Sequence, residues 1–329
     1  FRELESDHPT RGKCKLDIAR VCSAGSLEDD TPEAQALVEQ LRAEVRKRGM
    51  AIRTENTYAG WARRFTRFAV ANGKFDKLIR GSERSDGDGE PGVFAARAFL
   101  EHLSIDLNLA ASTYNQALNA LSFLFRNVLE VDPDGRLDGI ERPTRPVKLP
   151  TVLSRTEAMA LISRLEGVYR LMAELMYGAG LRVAECLRLR VKDVDFALGR
   201  LEVRDGKGGK DRVVPLPAGC RGALEEQLER CRDLWERDTA CGVAGVYLPG
   251  ALAKKYPKAP KELGWQWLFP STKLSTDPRT GTVRRHHLHE AGIGRAIKKA
   301  SVEQGMTKRV SCHTLRHSFA TTLLERGAD

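Results

Sequence analysis

The sequence predicts a mainly α-helical chain with a small β-sheet, built as two domains. Three observations predict it. Residues 31 to 132 contain four stretches with apolar side chains at helical spacing and no strand signal, and residues 133 to 150 hold four prolines. Beyond the prolines, three short alternating segments interrupt the helices, two of them flanking a glycine-rich turn.

Residues 1 to 30 are polar and aperiodic and read as an extension, with disorder the expectation. Thr31-Pro32-Glu33 then forms an N-cap with proline at the first helical position, and Ala34, Leu37, Val38, Leu41 and Val45 continue one apolar face. A second helix runs from about Glu55, with Tyr58, Trp61, Phe65 and Phe68 on one stripe. After a Gly/Ser/Asp-rich loop (81 to 92), Phe94 to Leu107 makes a third, and Ser112 caps a fourth carrying Leu118, Leu121, Leu124, Phe125 and Leu129. The aromatic stripe has the spacing of a buried face, so a partner would meet the opposite one, where Arg53, Arg63, Arg64, Arg67 and Lys74 stand.

Prolines 133, 143, 146 and 150 make residues 133 to 150 an extended linker, because proline lacks a donor and turns its predecessor away from helix. The second domain, 151 to 329, opens on the capping box Ser154-Arg155-Thr156-Glu157. Leu171 to Tyr177 continue as helix until Gly178 and Gly180 break it, and Arg182 to Arg190 starts another. Val194 to Phe196, Leu201 to Arg204 and Arg212 to Leu216 read as strands, with Asp205-Gly206-Lys207-Gly208-Gly209-Lys210-Asp211 as the turn between the last two. Leu224, Leu228, Cys231 and Leu234 mark a further helix. From Thr239 to Val283 the pattern lapses into expected loop, and periodicity returns from about Arg284 to Gln304 and again around His313.

The formal charge of +10 is concentrated in one region. Residues 1 to 150 carry 23 Lys and Arg against 23 Asp and Glu, while residues 251 to 310 carry 13 against 4. A one-signed field of this kind predicts a polyanionic partner, nucleic acid first, whereas a merely solubilising surface is sign-mixed. No apolar run approaches the roughly 18 residues of a membrane helix, and the sequence shows no signal-peptide pattern, so a soluble cytoplasmic protein without a membrane partner is expected. Seven widely spaced cysteines without a Cys-x-x-Cys argue against a disulfide framework or zinc ribbon.

The chemistry concentrates in Arg182, Lys207, His313 and Arg316. His313 and Arg316 stand one helical turn apart, so both project from one face; on its own such a pair is an ordinary solvated surface. Two guanidiniums form charge-assisted bonds to non-bridging phosphate oxygens and suit a pentavalent transition state. A lysine in a glycine-flanked turn donates a proton to a leaving oxygen, and histidine shares that proton or bonds a phosphate oxygen. Lys210 sits in the same turn and rivals Lys207. No carboxylate cluster for magnesium accompanies them, so no metal and no cofactor are expected.

Gly180-Leu181-Arg182 with Glu185, the turn Gly206-Lys207-Gly208-Gly209-Lys210-Asp211-Arg212, and His313-Thr314-Leu315-Arg316-His317 resemble, in order, the motifs of the tyrosine recombinases, or phage-integrase family. The resemblance covers residues 33 to 329 and implies a helical, SAM-like core-binding domain (31 to 132) joined to an α+β catalytic domain, closing on DNA as a C-shaped clamp. It implies that Arg182 and Arg316 hold the scissile phosphate, Lys207 is the general acid, and His313 assists, supported by Glu185, Lys210 and His317. The implied function is site-specific cleavage and rejoining of DNA through a 3'-phosphotyrosine, in a bacterial cytoplasm and by a homotetramer on DNA.

Residues 240 to 300 further resemble the insertion of integron integrases, which implies gene cassettes as cargo and two DNA partners, a duplex attachment site and folded single-stranded hairpins. Exposed aromatics and histidines stack on unpaired bases while cations hold the backbone, which makes Trp265, Trp267, Pro278, Arg284, Arg285, His286 and His287 candidates for DNA contact. A local hydrophobic cluster is the alternative for the two tryptophans, and metal binding or helix surface for His286, His287 and His289. The alternatives at the level of function are a phage or Xer-type recombinase on duplex sites and a non-catalytic DNA-binding fragment.

One part of the family's pattern does not fall within these residues. A Leu-Leu-Gly-His element and the nucleophilic tyrosine follow the His-x-x-Arg segment by a few dozen residues in the family, and the six tyrosines here (58, 114, 169, 177, 247 and 256) all precede it. The sequence runs from Phe1, without methionine, to Asp329, so the expectation is an incomplete chain that binds DNA and holds a phosphate without cleaving it.

Overall fold

The computed structural model describes residues 30–73, 91–131, 143, 149–204, 210–325 and 327. The chain divides into two compact units, Phe1–Val147 and Lys148–Asp329.

The first unit holds α1 (Pro32–Lys47), α2 (Ile52–Ala71), α3 (Pro91–Glu101) and α4 (Ala111–Asn127). Thr31 caps α1, its Oγ1 accepting the Ala34 amide at 3.3 Å. The aromatic stripe is core: the Phe65 ring lies 5.7 Å from Phe99 and 5.9 Å from Phe125, all three fully buried with Leu41, Leu121 and Leu124. Glu55 is also buried and takes Arg46 at 2.7 Å and Arg42 at 3.3 Å, which fastens α2 to α1. Helix α3 ends at Glu101 and passes into a π-turn over His102–Asp106. Helix α4 starts before Ser112, because the amides of Thr113 and Tyr114 already donate to the Ala110 carbonyl; Ser112 therefore does not cap it.

Because Phe65 is fully enclosed, Phe65→Ala is expected to cost about 3–5 kcal/mol. Urea denaturation followed by circular dichroism checks this, and a loss below about 1 kcal/mol would contradict the packing described.

The second unit opens with α5 (Arg155–Ser163), whose capping box is formed in both directions, Ser154 Oγ accepting the Glu157 amide at 3.2 Å and Glu157 Oε2 the Ser154 amide at 2.7 Å. It continues through α6 (Gly167–Gly178) and α7 (Val183–Leu187) to an antiparallel sheet of β1 (Val194–Asp195), β2 (Arg200–Val203) and β3 (Arg212–Pro215), in that spatial order. Then follow α8 (Arg221–Ala240), α9 (Gly250–Lys255), an antiparallel hairpin of β4 (Pro270–Thr276) and β5 (Val283–His287), α10 (Glu290–Glu303) and α11 (Cys312–Glu325). Met172, Leu175, Leu201, Leu224, Phe269, Ile293, Ile297 and Leu315 meet in one core.

Three expectations for this unit are corrected. Residues 239 to 283, expected as loop, contain α9 and β4, and Arg284 lies in strand β5 rather than starting a helix; α10 begins at Glu290, capped by His289 Nδ1 accepting the Ala291 amide at 3.1 Å. Residues 272 to 276 of β4 are exposed throughout, so this strand has no alternation to read. The helix after Arg182 stops at Leu187, since Leu189 and Arg190 pair outward, Leu189 accepting the Leu268 amide and Arg190 bridging to Trp267. Among the described residues, no helix is long and apolar enough to cross a membrane.

Candidate active site

The site is built on the turn that follows α6. Gly180 has φ +62°, and a Cβ there would lie 2.5 and 2.6 Å from ring carbons of Phe319 on α11, so glycine is required both by the turn and by close approach. The turn delivers Arg182 in extended conformation to the start of α7, with Glu185 three residues on. Glu185 reaches back: its Oε2 accepts the Arg182 amide at 2.8 Å and its Oε1 accepts Arg182 Nη1 at 2.7 Å.

Two further guanidiniums converge on this carboxylate. Arg212, paired across the sheet with Val203, donates Nη1 to Glu185 Oε1 at 2.9 Å and Nη2 to Oε2 at 2.6 Å. Arg316 stands on α11 with Nη1 3.8 Å from Glu185 Oε2 and donates to the Gly180 carbonyl. The register of α11 is fixed from behind, where buried Ser318 donates to the Thr314 carbonyl at 2.8 Å and accepts the Leu153 amide at 2.9 Å.

Exposure separates the roles of these groups. The Glu185 side chain is 2 % exposed, whereas those of Arg182, Arg212 and Arg316 are 33, 32 and 30 % exposed. Burial opposes ionisation of Glu185, but hydrogen bonds from Arg212, from the Arg182 amide and from the Arg182 side chain outweigh it and hold the carboxyl down at about 2. Arg212 is correspondingly pushed up by its bond to Glu185. Arg316 is pushed down, by burial first and then by Arg182. Three guanidiniums against one carboxylate leave two positive charges facing solvent, which is a receptor for a doubly contacted anion.

His313 is exposed on α11 one turn before Arg316, and His317 is exposed one residue after it. Lys210 is exposed two residues before Arg212. Lys207 and Lys74 lie outside the described residues. Arg212 is the member that sequence reading missed; its only local signal is its place at the first residue of β3, where alternation turns it inward with Val214.

The residues expected to touch DNA are not equivalent. Pro278 and His286 are exposed, Pro278 in the turn between β4 and β5 and His286 on β5. Arg284 is half-buried and donates to the Ala244 and Val246 carbonyls at 3.3 and 3.4 Å. Trp265 is half-buried under the Lys192 ammonium, 2.8 Å above its ring centre. His287 is half-buried, and burial lowers its imidazole to about 4.

Trp267, Arg285, Arg63 and Arg67 meet other partners in the structure than the expected DNA. Trp267 is 5 % exposed, with Arg190 3.9 Å from its ring centre and His287 against its edge, so it belongs to a local cluster and offers no face to a base. Arg285 is 8 % exposed and forks onto Asp238 while donating to the Ser271 carbonyl, so it fastens the hairpin to α8. Arg63 and Arg67 pair with Asp30 and are largely covered, whereas Arg64, half-buried over the Trp61 ring at 4.6 Å, keeps part of its surface open. Arg285→Ala is expected to cost about 3 kcal/mol by leaving Asp238 uncompensated, and Arg284→Ala less than about 1. Thermal denaturation of the two variants checks the order, which reverses if Arg284 is the anchor.

Residues 151–329 match the Phage integrase family, and residues 37–134 match the Phage integrase N-terminal SAM-like domain. The chain belongs to the phage integrase family. As a phage integrase it is an enzyme of the tyrosine-recombinase type, which breaks and rejoins DNA. Similar proteins include an "Integrase/recombinase" from Escherichia coli and one from Pseudomonas aeruginosa, each 43% identical over 89% of this chain and 82% of its own length. Among solved structures, the XerH site-specific recombinase bound to palindromic difH substrate has a TM-score of 0.53 at 20% identity, covering 95% of this chain and 83% of that one. That likeness is one of fold.

Proposed function

We propose that Arg182 and Arg316 grip one phosphodiester of a DNA recombination site and stabilise the charge that builds on it during strand transfer. The observation that carries the proposal is the convergence of three half-exposed guanidiniums on the enclosed Glu185 carboxylate. In the step proposed, the family's tyrosine gives up its phenol proton to solvent and attacks phosphorus, the bond to the 5' oxygen breaks, and that oxygen takes a proton from Lys207, leaving a 3'-phosphotyrosine. His313 bonds a phosphate oxygen or shares the proton. The reverse attack by a 5' hydroxyl rejoins a strand, so phosphodiester energy is conserved without nucleotide.

Duplex recombination sites are the substrate this reading favours, and a homotetramer on DNA is the assembly it requires. Folded cassette hairpins of the integron kind are the second reading, supported by the exposed β4–β5 turn with Pro278 and by exposed His286 beside it. Affinities for a perfect duplex and for the same stem with protruding bases separate the two. Tighter binding of the bulged stem supports cassette hairpins; equal or tighter binding of the duplex excludes them. Binding of either DNA is expected to fall steeply with salt, by about 10³-fold or more between 50 and 200 mM if six or more phosphates are contacted. A nearly flat salt response would contradict a phosphate-led interface.

A further inference from the structure

We propose that Arg212 is a positioning residue of the phosphate site: by satisfying Glu185 from the sheet side, it keeps Arg182 and Arg316 available to DNA. This rests on the phosphate-site reading above and adds a third arginine with a distinct task. Alternation along β3 turns Arg212 and Val214 inward while Val213, 57% exposed, faces out. Glu185 Oε1 receives Arg182 Nη1 at 2.7 Å and Arg212 Nη1 at 2.9 Å; Oε2 receives the Arg182 amide at 2.8 Å and Arg212 Nη2 at 2.6 Å. Four donors on two oxygens fill the carboxylate. Arg316, 3.8 Å from Oε2, stays outside that set and bonds the Gly180 carbonyl instead.

Removing Arg212 changes the site in two ways. Two acceptor positions open on a carboxylate that is only 2 % exposed, and the nearest guanidinium not already bonded to Glu185 is Arg316, which an uncompensated buried charge draws inward. The surplus charge also falls from two to one. Both effects act against a bound phosphate, and both disappear if Glu185 is neutralised together with Arg212. A residue that merely pinned β3 would not behave so, because neutralising Glu185 restores no lost anchor.

The test uses residues 1–329 and inorganic phosphate as the probe, titrated at constant ionic strength and read from the rise in Tm. Arg316→Ala is the reference. Arg212→Met is expected to bind phosphate about tenfold more weakly than wild type, Arg212→Lys to fall between them, and Glu185→Gln with Arg212→Met to return to within about threefold of wild type. Where Arg212→Met does not fold, Arg212→Lys with and without Glu185→Gln carries the same comparison. The proposal is overturned if the Arg212 variants titrate like wild type, or if the double variant is as weak as the single one. If Arg316→Ala titrates like wild type, or wild type shows no response, it is the phosphate-site reading that fails.

Discussion

Replacing Arg316 by alanine is expected to slow strand cleavage by about 10³-fold while weakening DNA binding by less than about tenfold. The split follows from where the guanidinium sits. It is one of three cations around Glu185, half-exposed at 30 %, and in the proposed complex it would be one contact among the many that a basic surface makes with DNA. Its bonds to non-bridging oxygens strengthen as phosphorus becomes pentavalent, so the loss falls on the transition state rather than on the complex. Cleavage is measured as covalent adduct on a suicide substrate with the family's tyrosine segment present, and binding by titration in parallel. Equal losses in both would make Arg316 an ordinary binding contact.

The second large effect is acid sensitivity through Glu185. Its carboxyl titrates at about 2 in the folded chain against 4.5 for an ordinary glutamate. A carboxyl whose folded value is depressed stabilises the fold above its unfolded value, and that stability is lost as pH falls from 4.5 through about 2. The gap corresponds to stability on the order of 3 kcal/mol. Glu185→Gln should therefore be less stable than wild type near neutrality, and its Tm should fall less between pH 5 and pH 2. Parallel Tm curves for the two proteins over that range would show that the arginines do not hold the carboxylate as described.

The parts of this fold that were legible in the sequence are those fixed by neighbours in the chain. Thr31 and Ser154 cap helices because their partners stand three residues away, and the Phe65 stripe is core because its spacing is helical. What could not be read depends on contacts far apart in sequence. Arg285 is buried by Asp238, 47 residues upstream, and Trp267 is covered by Arg190, so residues that look like a DNA-facing surface are partly a structural cluster. Strand β4 escaped notice because its outer residues face solvent on both sides. Within the site, Arg182 and Glu185 are a local pair, whereas Arg212 joins them across 27 residues through the sheet, and no periodicity announces that bond.

The central claim, that the arginine cluster receives one DNA phosphate, is tested most directly by neutralising phosphates singly in bound DNA and comparing wild type with Arg316→Ala. At one phosphate per half-site, neutralisation should weaken wild type and have no further effect on Arg316→Ala, since residue and charge act as one contact. If Arg316→Ala loses the same factor of affinity whichever phosphate is neutralised, the cluster does not receive a particular phosphate and the claim is wrong.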